Sequence, residues 1–279
     1  MIPAATALGR VGRDGALRLV FERRGAATVL AACRSTLPLQ VLAPVALDDT
    51  AAVVSMLNPT GGVLGGDRLT VEIDVGRGAH ACLTTPSATR VYRSAGPPAI
   101  QTVRVRLAPD AVCEWVPDHT IPSPGAILEQ ELVFDIGEGA TLLAIDAWAA
   151  GRVARGEAWG FTRLAGALTV RDAGGLVLHD RFVLHGGDRW RALGFAEDHP
   201  YFASVAVITD APLDRFLDAL ARATPADDVR VGAAQLPRRG ALVRCLARRA
   251  PALTATVHAV WTAARHAVLG APPLDLRKG

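Results

Sequence analysis

Apolar and polar residues alternate with period two through most of the first two-thirds of the chain. Leu69, Val71, Ile73 and Val75 interleave with Thr70, Glu72 and Asp74, which turns one face of a strand to a core and the other to water. The same pattern predicts strands over residues 17–23, 27–32, 51–57, 69–75, 79–84, 99–107, 111–116, 129–136, 140–147, 161–171 and 176–184, punctuated by Gly, Pro and Asp. No helical period intervenes, so an all-β body is expected rather than a doubly wound sheet. The last third changes character. Leu213, Phe216, Leu217 and Leu220 make one helical face behind Asp210 as a cap and Pro212 in the first turn. Leu253, Val257, Trp261, Ala264 and Val268 predict a second helix over 251–269, stopped by Gly270 and Pro272-Pro273. Between the helices, 229–233 and 241–247 read as a strand pair. The expected fold is mainly β, an irregular stacked β-sheet or β-helix-like body with a few helices in the C-terminal third. It forms a single domain, with the β body over about 1–208 and the helix-containing portion over about 209–279. The tail after Pro273 is expected to be loose or partner-bound.

A repeat runs through the β body. Residues 72–85 read EIDVGRGAHACLTT and 133–146 read VFDIGEGATLLAID, strand, glycine turn and strand in both, offset by 61 positions. Residues 105–116, VRLAPDAVCEWV, fit between them with Pro109-Asp110 in place of the glycines. Such a unit predicts coils stacked so that neighbours cover each other's apolar faces. Gly25-Ala26 and Gly174-Gly175 are expected to mark weaker copies. Stacking would line up Thr85, Pro117 and Asp146 at strand exits, so that TTPSATR, PDHTIPSPG and DAWAAGRVARGE emerge along one rim.

Composition narrows the function. Half of the 279 residues are hydrophobic and the net charge is a mild +3. Of the 30 basic residues only Lys278 is lysine, and the arginines are scattered, which argues against a nucleic-acid face. The N-terminus has no apolar core behind a basic start, so no signal peptide is expected. No run of 18 apolar residues is present to span a membrane. Cys33, Cys82, Cys113 and Cys245 lie far apart and read as buried reduced thiols of a cytoplasmic protein.

The glycine-rich stretch TGGVLGGDRL has the spacing of a phosphate loop in Gly61 and Gly66, but Asp67 and Arg68 follow where Lys and Ser or Thr would be needed. A strand, not a helix, comes next, so this is a turn ending in a carboxylate. His179 and His185 stand roughly 20 Å apart along a strand, too far to share an ion. His80 and Cys82 face the same way and are one candidate pair for a soft ion. His119, in a proline-rich loop beside Asp118, is a candidate for transient metal contact. Ser87, Ser94 and Ser123 lack a nucleophile elbow. Three carboxylates stand out: Asp67 behind the glycine turn, Asp146 interrupting the apolar run TLLAIDAWAA, and Glu157 flanked by Arg152 and Arg155. Each needs a salt-bridge partner, a hydrated passage or an ion, because an unpaired buried carboxylate costs several kcal/mol.

Four motifs in order, TGGVLGGDRL, TTPSATRVYRS, WVPDHTIPSPGA and AWAAGRVARGEAW, resemble the urease accessory protein family UreD, also called UreH. The resemblance runs from about residue 53 to 182 and continues more weakly to the C-terminus. One departure is Pro86, which stands where the family pattern leads one to expect glutamine. The resemblance implies an irregular β-helical body and a non-catalytic chaperone for nickel urease. Such a protein docks on apo-urease, carries UreF and through it engages the GTPase UreG. A homo-oligomer within that complex is compatible with it. No cofactor is held tightly; nickel is in transit, past Asp67, Asp146 and Glu157 as oxygen ligands along a hydrated path, with Thr84 and Thr85 adding neutral oxygens. Two other classes stay open: a β-rich hydrolase or isomerase using Asp67 and Asp146 as acid and base, and a β-sheet binding module with no transported ion.

Overall fold

The computed structural model describes residues 13–44, 51–187, 190, 192, 196–223 and 226–276. The first residues of the chain and the last three of its tail fall outside them.

The described residues open with a hairpin, β1 (Asp14–Arg24) and β2 (Ala27–Thr36), and move to a second sheet for β3 (Gln40–Val41) and β4 (Ala52–Leu57). From there the chain alternates between two facing sheets. β5 (Arg68–Val75) lies in the first sheet and β6 (His80–Thr84) in the second, followed there by the short β7 (Thr89–Val91). β8 (Ala99–Leu107) returns to the first sheet, and β9 (Val112–Val116) and β10 (Thr120–Pro122) to the second. β11 (Ile127–Ile136) and β12 (Thr141–Ala149) repeat the crossing. A small hairpin, β13 (Gly151–Arg152) and β14 (Glu157–Ala158), precedes β15 (Arg163–Asp172) and β16 (Gly175–His185), which end the first sheet. β17 (Tyr201–Ile208), α1 (Asp214–Arg222), β18 (Val229–Gln235), β19 (Ala241–Ala247) and α2 (Ala250–Ala264) complete the chain.

The stacked reading is borne out. β5, β8, β11 and β15 pair in parallel, as do β4, β6, β9 and β12. His80 sits beside Val112, and Val112 beside Thr141, so two steps of the register make up the 61-residue offset of the repeat. The glycine turns fall together at one end of the sandwich, where Gly78 and Gly139 have φ of +63° and +67°. Gly25-Ala26 and Gly174-Gly175 are not further coils. They are the turns of antiparallel hairpins, β1–β2 and β15–β16, and each sits at an edge of the first sheet.

Leu17, Leu19, Phe21, Leu69, Val71, Val103, Leu132 and Phe134 of the first sheet meet Val54, Leu83, Trp115, Leu142 and Trp148 of the second in one core. A second core lies on the other face of the second sheet, where Leu143, Val205 and Val243 pack under Phe216, Leu253, Val257 and Trp261. The second sheet is thus buried on both faces, as parallel sheets ordinarily are. The first sheet turns its outer face to water, and rows of opposite charge cover it. Arg18 pairs with Glu72 and Asp74, Arg106 with Asp74, and Arg104 with Glu131.

Several expectations are corrected. β17 falls outside every predicted strand, yet it pairs with both β12 and β19. The strand pair expected between the helices is present as β18 and β19, and it extends the second sheet. Leu213, not Asp210, stands at the start of α1, and the Asp210 carboxylate instead pairs with Arg239 at 3.0 Å. The second helix does cover its predicted span, as α2 and a π turn over Arg265–Leu269, and Gly270 ends it at φ +61°. The tail is not loose as far as it is described, since Leu274 is buried in the second core. Cys82, Cys113 and Cys245 are buried, whereas Cys33 is exposed on β2. Burial pushes the Cys245 thiol up to about 12 and the Cys113 thiol higher still, with the Glu114 charge adding to the latter.

Candidate functional site

The end of the sandwich opposite the glycine turns is where β6, β9 and β12 finish. Continuing the register one residue past Thr84–Val116 and two past Trp115–Ala144 sets Thr85, Pro117 and Asp146 in one row, as the repeat predicts. The loops that carry the family-like motifs leave from this rim. They are tied to one another: the Thr85 hydroxyl accepts the Asp118 N–H at 2.9 Å, and the Thr89 N–H donates to the His119 carbonyl.

Behind the rim, between the sheets, is a cavity of about 80 Å³. Its walls include Thr85, Pro117 and Asp146 from the second sheet and Gln101 and Gln130 from the first. A larger cleft of about 460 Å³ opens outward from it, walled by Gly61, Gly62, Pro86, Ser87 and Arg90, and shares Asn58, Thr85 and Thr89 with it. A third space of about 250 Å³ lies on the far side, under Trp148, Trp159, Phe182 and Phe202. Asp146 belongs to the walls of both the inner cavity and this third space.

Asp146 reaches this position by strand parity. Leu142, Ala144 and Trp148 of β12 belong to the inter-sheet core while Leu143, Ile145 and Ala147 belong to the other, so Asp146 faces inward. Its Oδ1 accepts the Gln130 Nε2–H at 2.9 Å, a bond that spans the two sheets. Burial pushes its carboxyl up to about 6. Trp148 and Gln130 pull the other way, and the Asp180 charge adds to the rise. Asp180 itself is held by Arg244 at 2.6 Å and by the Ser204 hydroxyl at 2.8 Å.

The other sequence-predicted residues are not all brought to this cavity. Thr84 is one residue from Thr85 and therefore on the opposite face. It is buried, with its hydroxyl donating to the Val116 carbonyl at 2.8 Å, so it supplies no oxygen to the inter-sheet space. Asp67 is also buried and closes the glycine turn, its Oδ2 accepting the Leu64 N–H at 2.8 Å. Oδ1 of Asp67 has no hydrogen-bond partner among the described residues. Glu157 pairs with Arg152 across the β13–β14 hairpin, and Arg155 is exposed in the turn between them. His119 packs edge-on against the Tyr201 ring and lines a separate hollow of about 210 Å³ beside α2 with Asp118, His258 and Asp275. Among the described residues, no three His, Cys, Asp or Glu side chains converge on one point.

The sequence reading missed Glu114. It lies beside Cys82 in the register, on the face covered by α2, and is fully buried. His80 meets its Oε1 at 2.7 Å, the Trp261 indole N–H donates to Oε2 at 2.6 Å, and the buried Arg265 guanidinium pairs with Oε1. His80 and Cys82 do share a face, but the partner of His80 is this carboxylate. Burial alone would push the Glu114 carboxyl up. The His80 hydrogen bond and the Arg265 and His80 charges outweigh that and hold it below the ordinary range. A single charge in the apolar run CEWV was the only trace of this cluster in the sequence.

Among the described residues, no helix is long and apolar enough to cross a membrane. The sequence pattern of the UreD urease accessory protein family matches residues 13–278. The urease accessory protein UreD of Delftia acidovorans is 35% identical over 273 residues, covering 89% of this chain and 88% of that protein. That of Alkalilimnicola ehrlichii is 34% identical over 95% of this chain and 91% of its own length. The Haloarcula marismortui UreD is 33% identical over 99% and 94%. This chain belongs to the UreD family of urease accessory proteins.

Proposed function

We propose that this chain is a non-catalytic scaffold of urease maturation that lets nickel pass through its interior to the urease active site. It docks on apo-urease and carries UreF, and through UreF it receives nickel from UreG, in the cytoplasm. The observation that supports the reading is Asp146, an inward-facing carboxylate on the walls of two adjoining cavities. Asp146 and Asp118 are the carboxylates on the inner cavity's walls, among neutral oxygens and amides that include Thr85, Gln101 and Gln130. So few charged ligands attract a divalent ion and hold it weakly, because affinity for hard cations rises with the number of charged ligands. A passage needs that balance, since an ion that binds tightly does not leave. Asp67 is a further buried carboxylate and closes the glycine turn. Glu157 is engaged by Arg152 and serves the hairpin. An acid–base enzyme using Asp67 and Asp146 is less well supported, because Asp67 lines none of the cavities that Asp146 walls.

Co-expression of the Asp146→Ala chain with urease and the other accessory proteins tests the proposal. The expected result is at least a tenfold loss of urease activation with apo-urease and UreF still co-purifying. Full activation by this variant would overturn it.

A further inference from the structure

We infer that Gln130 sets how briefly a divalent cation stays at Asp146, by occupying one carboxylate oxygen and contributing no charge of its own. The inference rests on the passage proposed above and names a specificity-determining residue for it. Gln130 comes from β11 of the first sheet and Asp146 from β12 of the second, and the two side chains meet across the gap at 2.9 Å. Gln130 is 8% exposed, on the wall of the same cavity, beside Gln101 in the strand register. Buried amides are costly unless bonded, and a core position flanked by Leu128 and Leu132 has no packing need for one.

The chemistry follows from the bond. While the Gln130 N–H donates to Oδ1, part of that oxygen's lone-pair density is engaged, which disfavours chelation of a cation through both oxygens of Asp146. Ligand charge and denticity are what raise affinity for hard divalent ions. A glutamate at position 130 would reverse both effects, removing the donor and placing a second carboxylate across the gap. The amide is thus the element that keeps the site weak enough to release its ion.

The test uses the full chain in complex with UreF, cobalt(II) and nickel(II) as probes, equilibrium dialysis at pH 8, and metal content after desalting. The wild-type complex is expected to lose the ion on desalting. Gln130→Glu is expected to bind at least tenfold more tightly, retain the ion and activate urease more slowly. Gln130→Met, which removes the donor without adding a buried charge, keeps the test valid should Gln130→Glu fold poorly, and is expected to tighten binding severalfold. The exchanged pair Gln130→Glu with Asp146→Asn restores one carboxylate and one amide and is expected to release metal as the wild type does, which a merely structural bond would not predict for the metal readout. Unchanged affinity in both single variants would overturn the inference. If Asp146→Ala also activates urease fully, the passage itself fails; if only the Gln130 variants are silent, the passage stands and this role of Gln130 falls.

Discussion

Glu114 and Arg265, 151 residues apart in the chain, form an ion pair in which neither side chain is exposed. The pair fastens α2 and the π turn after it to the centre of the second sheet, and the Trp261 indole and His80 ring complete it. Replacing Glu114 with Ala leaves a buried guanidinium uncompensated, and the expected cost is about 3–5 kcal/mol. Urea unfolding followed by tryptophan fluorescence measures it. The carboxyl is held below its ordinary value, so its contribution is full above that value and is lost as pH falls through the depressed folded one. Acid should therefore narrow the stability gap between wild type and Glu114→Gln.

Asp146 has the opposite sign. Its folded value of about 6 lies above the ordinary carboxylate value, so what it contributes to stability is present at low pH and lost as pH rises through about 6. Asparagine at this position keeps a polar group and removes the charge. Asp146→Asn should stabilise the chain by roughly 1–2 kcal/mol at pH 8, a figure reduced for the water that reaches the cavity, and by much less at pH 4.5. Thermal melts at the two pH values decide the point. Equal shifts at both would show that the charge is not what the fold resists.

Glu157 gives a contrasting outcome. Its partner Arg152 is 41% exposed, and such a pair contributes under about 1 kcal/mol. Glu157→Ala should leave both the melting temperature and urease activation close to wild type. A large loss of activation with an unchanged melt would put Glu157 on the ion's path.

Much of this was legible in the chain itself. The strands of the first sheet show because one face of each is wet, those of the second show as short apolar runs bounded by turns, and the 61-residue repeat shows because its turns need glycine or Pro-Asp at fixed places. From that register came the row of Thr85, Pro117 and Asp146. β17 escaped because YFASVAVI is buried against both cores and so lacks alternation. Thr84 and Thr85 look alike in the sequence, but neighbours in a strand face opposite ways, and Thr84 turns from the cavity to the Val116 carbonyl. Glu114 was overlooked because its partners lie 34, 147 and 151 positions away, distances no local pattern encodes.

The central claim, an ion moving between the sheets, is tested most directly by closing the way without altering any carboxylate. Thr85 stands where the outer cleft meets the inner cavity of about 80 Å³, and a tryptophan there would fill that space. The measurement is nickel per active site in urease purified after activation by Thr85→Trp, with the accessory complex shown to be intact. The passage predicts urease nearly empty of nickel; urease loaded to the wild-type level would contradict it.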